Sequence, residues 1–544
     1  MGYIKVSTGD IIEDKYPLSM AHGVHFLYSR DGQTFQKLHQ GYGILYPEAN
    51  IREDNTLEER GAVEPMLTRE GDTYIILAKL VDREGKPVEE TNRVYWKTVD
   101  FVEFTVPQKI SAEEVRNKWY SFCESIEIPE QLEEAILRRW VPLRGVSAVV
   151  QGNLEDGTVR LECPEDLQRV KAEVTFTDGS VSEYAVDWDE KNLIPLGACR
   201  YRVNGRVMAD DTGFPLAVGY ADPVVFQWRN HWYFLATNDN VDDIGMFVRE
   251  ADTVEELFEE KTKEYCILEY DESRGFCQTF WAPEFHVIGG ELYILFAVSG
   301  TQWGPQCHMM RLKKGGSIIN PKDWEEPVRV LRKNGDYLNQ NGITLDMTYF
   351  KAGEVSYVCW SERYQIGTEL DSGSMIYIAT IDEREPWRLT SEPVLLSRPL
   401  YGWENNSGTI NNEGPYALIL KEKVYLAYSG GAACGYSYVI GYLIADAKDN
   451  LLDVNKWKKF PAPVFHSGSV EGIQGPGHNS FFYDEEGRLM IAYHGQEREK
   501  YFKRCSAIHP VHIAKDGFPL LNVAGEAVLP EAMREITAII ELHR

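Results

Sequence analysis

The chain of 544 residues has no uninterrupted apolar run of eighteen residues and no CxxC pair. The first absence excludes a membrane-spanning helix. The second, with an odd total of nine scattered cysteines, argues for buried free thiols rather than a disulfide or zinc framework. The first twenty residues, MGYIKVSTGDIIEDKYPLSM, contain no apolar core of leader length. The expectation is therefore a cytoplasmic protein. Positive charge is also scarce: 56 Lys and Arg stand against 84 Asp and Glu, a net charge of −28. Such a chain is repelled by nucleic acid and by anionic membranes, so neither is an expected partner. No Gly-rich phosphate loop sits between a strand and a helix, and no redox or nucleotide cofactor is expected.

Aromatic residues are plentiful, at 12%. Many fall in five similar stretches: ADPVVFQWRNHWYFLAT, APEFHVIGGELYILFA, LDMTYFKAGEVSYVCW, NEGPYALILKEKVYLAYS and GHNSFFYDEEGRLMIAYH. In each, a polar ionisable residue precedes a short apolar strand, a turn and a second, aromatic-rich strand, which is the pattern of a β-hairpin. The leading residues are Asp222, Glu284, Asp346, Glu413 and His478, separated by 62, 62, 67 and 65 residues. A period of that length holds about four strands, so the repeat predicts an all-β, five-bladed propeller over residues 209–544.

In a propeller, equivalent ends of the innermost strands meet at one mouth of the central channel. Asp222, Asp346 and Glu413 are therefore expected to converge from three blades. A single acid before a strand is ordinarily a turn or edge residue. Three in register point to a site, because crowded buried carboxylates shift one another's titration.

The segments YADPVVF, FWAPEFH, TLDMTYF, NEGPYAL and GPGHNSF, in that order and at propeller spacing, resemble family-43 glycoside hydrolases. The stretch from Arg398 to Gly431 and that from Pro463 to Gly495 look most like the exo-acting α-L-arabinofuranosidase branch. The resemblance implies that Asp222 is the general base, Glu413 the general acid and Asp346 the acid that positions and tunes Glu413. It also implies inversion at the anomeric carbon, no required cofactor and an oligosaccharide substrate. Asn412, Trp281, His478 and Arg504 are carried over as substrate-binding residues. His478 is in addition either a histidine facing a calcium ion near the propeller axis or a hydrogen-bonded channel histidine without metal. Trp281 lines the pocket or packs a blade, and Arg504 approaches the acids or serves the surface. Glu284 lies outside the catalytic set. Ala507 and His509 stand where the family often has arginine and glutamine, a departure that bears on the fine substrate pocket.

The first part of the chain divides differently. Residues 1–143 read as a β-rich region with a helical bridge, in which VEPMLTREGDTYIILAK repeats the hairpin pattern behind a structural Glu64. Ser111 with Glu114 starts one bridge helix and Pro129 opens the next. Residues 144–208, with short alternating strands and an FTDGS turn, resemble an immunoglobulin-like β-sandwich module that spaces or walls the propeller mouth. The leading functional expectation is an inverting exo-glycosidase releasing terminal α-L-arabinofuranose from short arabino- or arabinoxylo-oligosaccharides. The alternatives are a β-D-xylosidase, a non-catalytic carbohydrate-binding propeller, or a phosphorylase using His494, Arg498 and Lys500 to cradle phosphate.

Overall fold

In the computed structural model, described for residues 1–88, 93–119, 121–208, 214–406, 408–470, 472–497, 503–521 and 529–543, five antiparallel four-stranded sheets follow one another along the chain. Their innermost strands are Tyr220–Trp228, Gln278–Ile288, Gly342–Ala352, Asn412–Leu420 and Gln474–Tyr483. Each packs on the next, and the fifth packs back on the first, closing a five-bladed propeller. The ring is latched by Ala217–Val218, which pairs with Cys505–Pro510 as the outer strand of blade five. Apolar side chains fill the gaps between blades. Tyr233, Leu235 and Phe285 join blades one and two, Leu295, Met347 and Trp360 join two and three, and Phe234, Trp232 and Phe482 join five and one. Continuous β-branched and aromatic runs suit strands buried on both faces.

Every innermost strand carries a bulge near its start, where two residues oppose one on the neighbouring strand. The first bulge residue is left-handed each time: Asp222 (φ 53°), Ala282 (44°), Asp346 (55°), Gly414 (57°) and His478 (43°). This corrects the register read from the sequence. Glu284 and Glu413 are not equivalent to Asp222; Glu413 stands one residue before the bulge and Glu284 two residues after its left-handed position. Spacing alone does not reveal a bulge, because an inserted residue leaves the apolar pattern on either side intact.

The domain boundaries also differ. One compact unit holds 1–136 with 214–508, and the second holds 137–213 with 509–544. The sandwich-like module is not confined to 144–208, and the propeller does not run to 544. The strand Glu535–Leu542 lies antiparallel to Arg200–Val207 and parallel to Val159–Leu161. Its Ala538 and Ile540 complete a core with Val174, Phe176, Trp188 and Val203. A partner some 330 residues away leaves no local signal in the sequence.

The N-terminal region is likewise more than a fragment. Gly61–Glu70, Thr73–Val81, Arg93–Thr98 and Gln108–Ile110 form a complete four-stranded sheet, and Ile126–Ile128, Gly2–Ser7, His25–Ser29 and Gln36–Lys37 form another. Helix Ala112–Lys118 begins on the expected capping box of Ser111 and Glu114. This lobe shares a core with blades three and four, in which Tyr16, Met20, Tyr42 and Tyr46 pack with Trp403, Tyr428 and Val439. Its contacts fall on loops that lead into the innermost strands. Ala49 N–H donates to Leu400 O at 2.8 Å, and the ring of Tyr42 stacks on His466 at 3.6 Å. A Cβ on Gly402 would come within 2.2 Å of Ser19 O, so only glycine permits the lobe to sit this close.

Candidate active site

The starts of the five innermost strands, and the loops that face them, bring ionisable groups together at one end of the channel. Asp222 is 6% exposed on blade one. Its Oδ2 accepts from Thr237 Oγ1 at 2.6 Å. Its Oδ1 accepts no hydrogen bond but faces His478 Nδ1 at 3.2 Å, His494 Nδ1 at 3.2 Å and Arg504 Nη1 at 3.6 Å. Burial opposes charge on Asp222, yet His478 and Arg504 outweigh it and hold the carboxyl well below the ordinary range. Asp222 is therefore ionised at neutral pH, with Oδ1 buried against His478, His494 and Arg504.

His494 braces the same residue through the backbone. Its Nδ1 accepts from Asp222 N–H at 3.2 Å, while Nε2 meets the carbonyl of Ala433 at 3.0 Å. One neighbour supplies a hydrogen and the other requires one, which fixes the neutral Nε2–H tautomer. Arg504 is anchored by Asp239, with Nη2 at 2.7 Å from Oδ1 and Nε at 3.2 Å from Oδ2.

Asp346, on blade three, is 2% exposed and accepts from Gly414 N–H at 3.0 Å. Burial, then the charges of Glu413 and Asp222, raise its titration well above the usual carboxylate range. Asp346 thus grips the backbone beside Glu413. Glu413 itself, half-buried on blade four, accepts from Tyr438 O–H at 2.9 Å through Oε1. Asp222 and Asp346 are held left-handed, a conformation that costs a non-glycine residue about 1–3 kcal/mol and that clusters at functional sites.

The other expected residues divide. Trp281 is half-buried at the rim, its Nε1–H donating to Asp243 Oδ2 at 2.8 Å. Arg504 and His478 lie against Asp222. Asn412 does not join them. Its Nδ2 donates to Glu404 at 2.9 Å and its Oδ1 accepts from Ser397 at 2.8 Å, in a fully buried cluster with Tyr428. Neighbours in a strand point to opposite faces, so the residue beside Glu413 is turned away from the site. Glu284 pairs with His286 at 2.6 Å and is raised by burial. Sequence reading missed Thr237, Asp239, Asp243 and Tyr438, and took His494 only for a phosphate cradle; of that cradle, Arg498 and Lys500 lie outside the described residues. A polar residue closing each second strand, as in FLATND and IAYHGQ, is the signal that could have found Thr237 and His494.

The residues around His478 do not fit a protein-built calcium site. Calcium takes six to eight oxygen ligands, whereas His478 offers a nitrogen turned to Asp222. Among the described residues no group of three or more His, Cys, Asp or Glu is arranged to hold a metal.

The profile of the family described as Glycosyl hydrolases family 43 matches residues 215–519, which is the propeller just described. The chain belongs to this family. As a family-43 protein it is a glycosidase acting on O-glycosyl bonds. An extracellular exo-α-(1→5)-L-arabinofuranosidase of Streptomyces chartreusis is 30% identical over 285 residues, 52% of this chain and 82% of that protein. Another protein of that description, from Streptomyces avermitilis, is 31% identical over 282 residues, spanning 52% of this chain and 55% of its own length. The crystal structure of an α-L-arabinofuranosidase from Lactobacillus brevis matches with 28% identity and a TM-score of 0.50, covering 57% of this chain and 96% of that one. Two of these relatives are described as extracellular, which overturns the cytoplasmic location expected from the first twenty residues.

Proposed function

We propose that this family-43 glycosidase is an inverting, exo-acting α-L-arabinofuranosidase that releases terminal arabinofuranose from short arabino- or arabinoxylo-oligosaccharides. One observation carries the reading. Asp222 is kept ionised with Oδ1 free of hydrogen bonds, while Glu413 approaches from another blade with Asp346 gripping the next backbone amide. In the reaction, Asp222 takes a proton from water as the water oxygen bonds to the anomeric carbon. Glu413 gives a proton to the glycosidic oxygen as its bond to that carbon breaks. Inversion requires the two carboxyls to stand roughly 6.5–9.5 Å apart so that water fits between them and the sugar, and placement on separate blades suits that gap. The Streptomyces and Lactobacillus relatives, named as arabinofuranosidases, support this sugar over xylose.

The test is hydrolysis of 4-nitrophenyl α-L-arabinofuranoside beside the β-D-xyloside, with early NMR of the released sugar. Faster cleavage of the arabinofuranoside and release of the β-anomer are expected. Preference for the xyloside would establish the xylosidase alternative. Release of the α-anomer would remove Asp222 from the role of base, and turnover of neither would favour the carbohydrate-binding alternative.

A further inference from the structure

Tyr438 touches both Glu413 and the histidine that braces the backbone of Asp222. It is fully buried, yet its hydroxyl donates to Glu413 Oε1 at 2.9 Å. Its ring lies parallel to that of His494, at 5.5 Å and 12°, and His494 in turn accepts from the backbone N–H of Asp222. The ring occupies a fitted slot: a Cβ on Gly477 would sit 2.2 Å from two of its atoms. The loop that carries Tyr438 is fastened from several sides. Asn411 donates to Gly431 O at 2.9 Å, Ser437 to Asn406 at 2.8 Å, and Ser467 to Tyr436 O at 3.2 Å. Ser467 and the adjoining His466 are the residues on which Tyr42 of the N-terminal lobe rests.

We propose that Tyr438 is a positioning residue for the acid–base pair, holding Glu413 through its hydroxyl and Asp222 through its stack on His494. This rests on the roles proposed above for the two acids. The chemical consequence is specific. A donor on Oε1 makes that oxygen the acceptor of the carboxyl group, so the proton delivered to the leaving oxygen resides on Oε2. The same hydrogen bond strengthens as negative charge develops on Glu413 when it gives up its proton, so it is worth more in the transition state than in the ground state. Asp346 and His478 also face Glu413.

Tyr438→Phe keeps the ring, the stack and the slot while deleting the donor. On an arabino-oligosaccharide, whose leaving group needs protonation, kcat should fall about 10- to 100-fold, the loss associated with one hydrogen bond to a charged group. KM should stay within about twofold. The 4-nitrophenyl arabinofuranoside, which needs little protonation, should lose much less. Equal losses on both substrates, or a change in KM alone, would each overturn the proposal. Tyr438→Leu, which also removes the stack, should add a loss on the activated substrate through Asp222; no added loss would remove the His494 half of the proposal. The variants are compared on whichever glycoside the wild type cleaves. A different preferred sugar therefore counts against the arabinofuranosidase reading and leaves the Tyr438 result standing.

Discussion

The strand Gly61–Glu70 of the N-terminal lobe and the strand Tyr220–Trp228 of blade one are built alike. Each begins a four-stranded sheet, and each has a bulge at an acid followed by proline: Glu64–Pro65 and Asp222–Pro223. Both acids are left-handed, at φ 49° and 53°. A proline has no N–H to contribute, which suits the unpaired bulge position. Their surroundings differ. The side chain of Glu64 is 66% exposed, and its carboxylate pairs with Lys79 on the adjacent strand. Asp222 is buried among Thr237, His478, His494 and Arg504, which come from blades one and five. A strained acid on a bulge is thus a device of the backbone. It becomes chemistry only where ring closure turns five such strands toward one axis.

That comparison is most sharply tested at Asp222. Asp222→Asn keeps the shape of the side chain and removes the charge that, on the proposed roles, accepts a proton from water. The loss in kcat/KM should be about 10²–10⁴-fold or more, and equal on activated and unactivated arabinofuranosides, because water must be deprotonated for either. A variant that kept most of its activity would make Asp222 no different in kind from Glu64.

The propeller and its acids were legible because their signals repeat. Apolar alternation, turn residues and an ionisable residue recur at near-constant spacing, so Asp222, Asp346 and His478 could be set against one another within a single chain. The bulge was not legible, although Pro65, Pro223, Pro283 and Pro415 all follow its first residue. Overlooking it placed Glu284 and Glu413 in register with Asp222 and left Asn412 on the wrong face of its strand. Tyr438 lies in a loop outside the repeat, and its role depends on a ring packed against residues from another blade. The terminal strand Glu535–Leu542 belongs to the second unit through hydrogen bonds to Arg200–Val207, and no local pattern encodes a partner that distant. What escaped the sequence is in each case a contact between elements far apart in the chain.

A second way to sharpen the comparison uses acid. His25 and His39 in the lobe and His308 in blade two are buried, and burial pushes each down to about 4 from an ordinary value of 6.5. Around His25 stand Tyr16, Lys37 and Asp10; around His39, Pro463 O, Tyr42 and His466; around His308, Gln306 O, Trp303 and Arg329. The unfolded chain binds these protons first as pH falls through 6.5, so it gains protons the folded chain lacks until about pH 4. Stability is therefore fully present above pH 6.5 and is lost across that window, by up to about 1.4 kcal/mol per pH unit for each histidine. Thermal melts between pH 7 and 4 should show Tm falling steadily, and His39→Gln should flatten the slope. A Tm unchanged between pH 6.5 and 4 would mean these rings are not buried as neutral groups, and that the lobe does not share a core with the propeller.

The smallest effect is expected at Glu64 itself. Glu64→Gln removes one partner of an exposed ion pair, and such pairs contribute little in water. Because the bulge is held by the backbone, glutamine should keep it, with Tm within about 2 °C and kcat/KM within about twofold of the wild type. The pairing with Lys79 turns Glu64 along its own sheet, where its side chain stays exposed to solvent. A loss of turnover comparable with that of Asp222→Asn would show that the lobe contributes an acid to the reaction. The identical backbone device would then carry identical chemistry in both places, and burial among partners from other strands would no longer be what separates them.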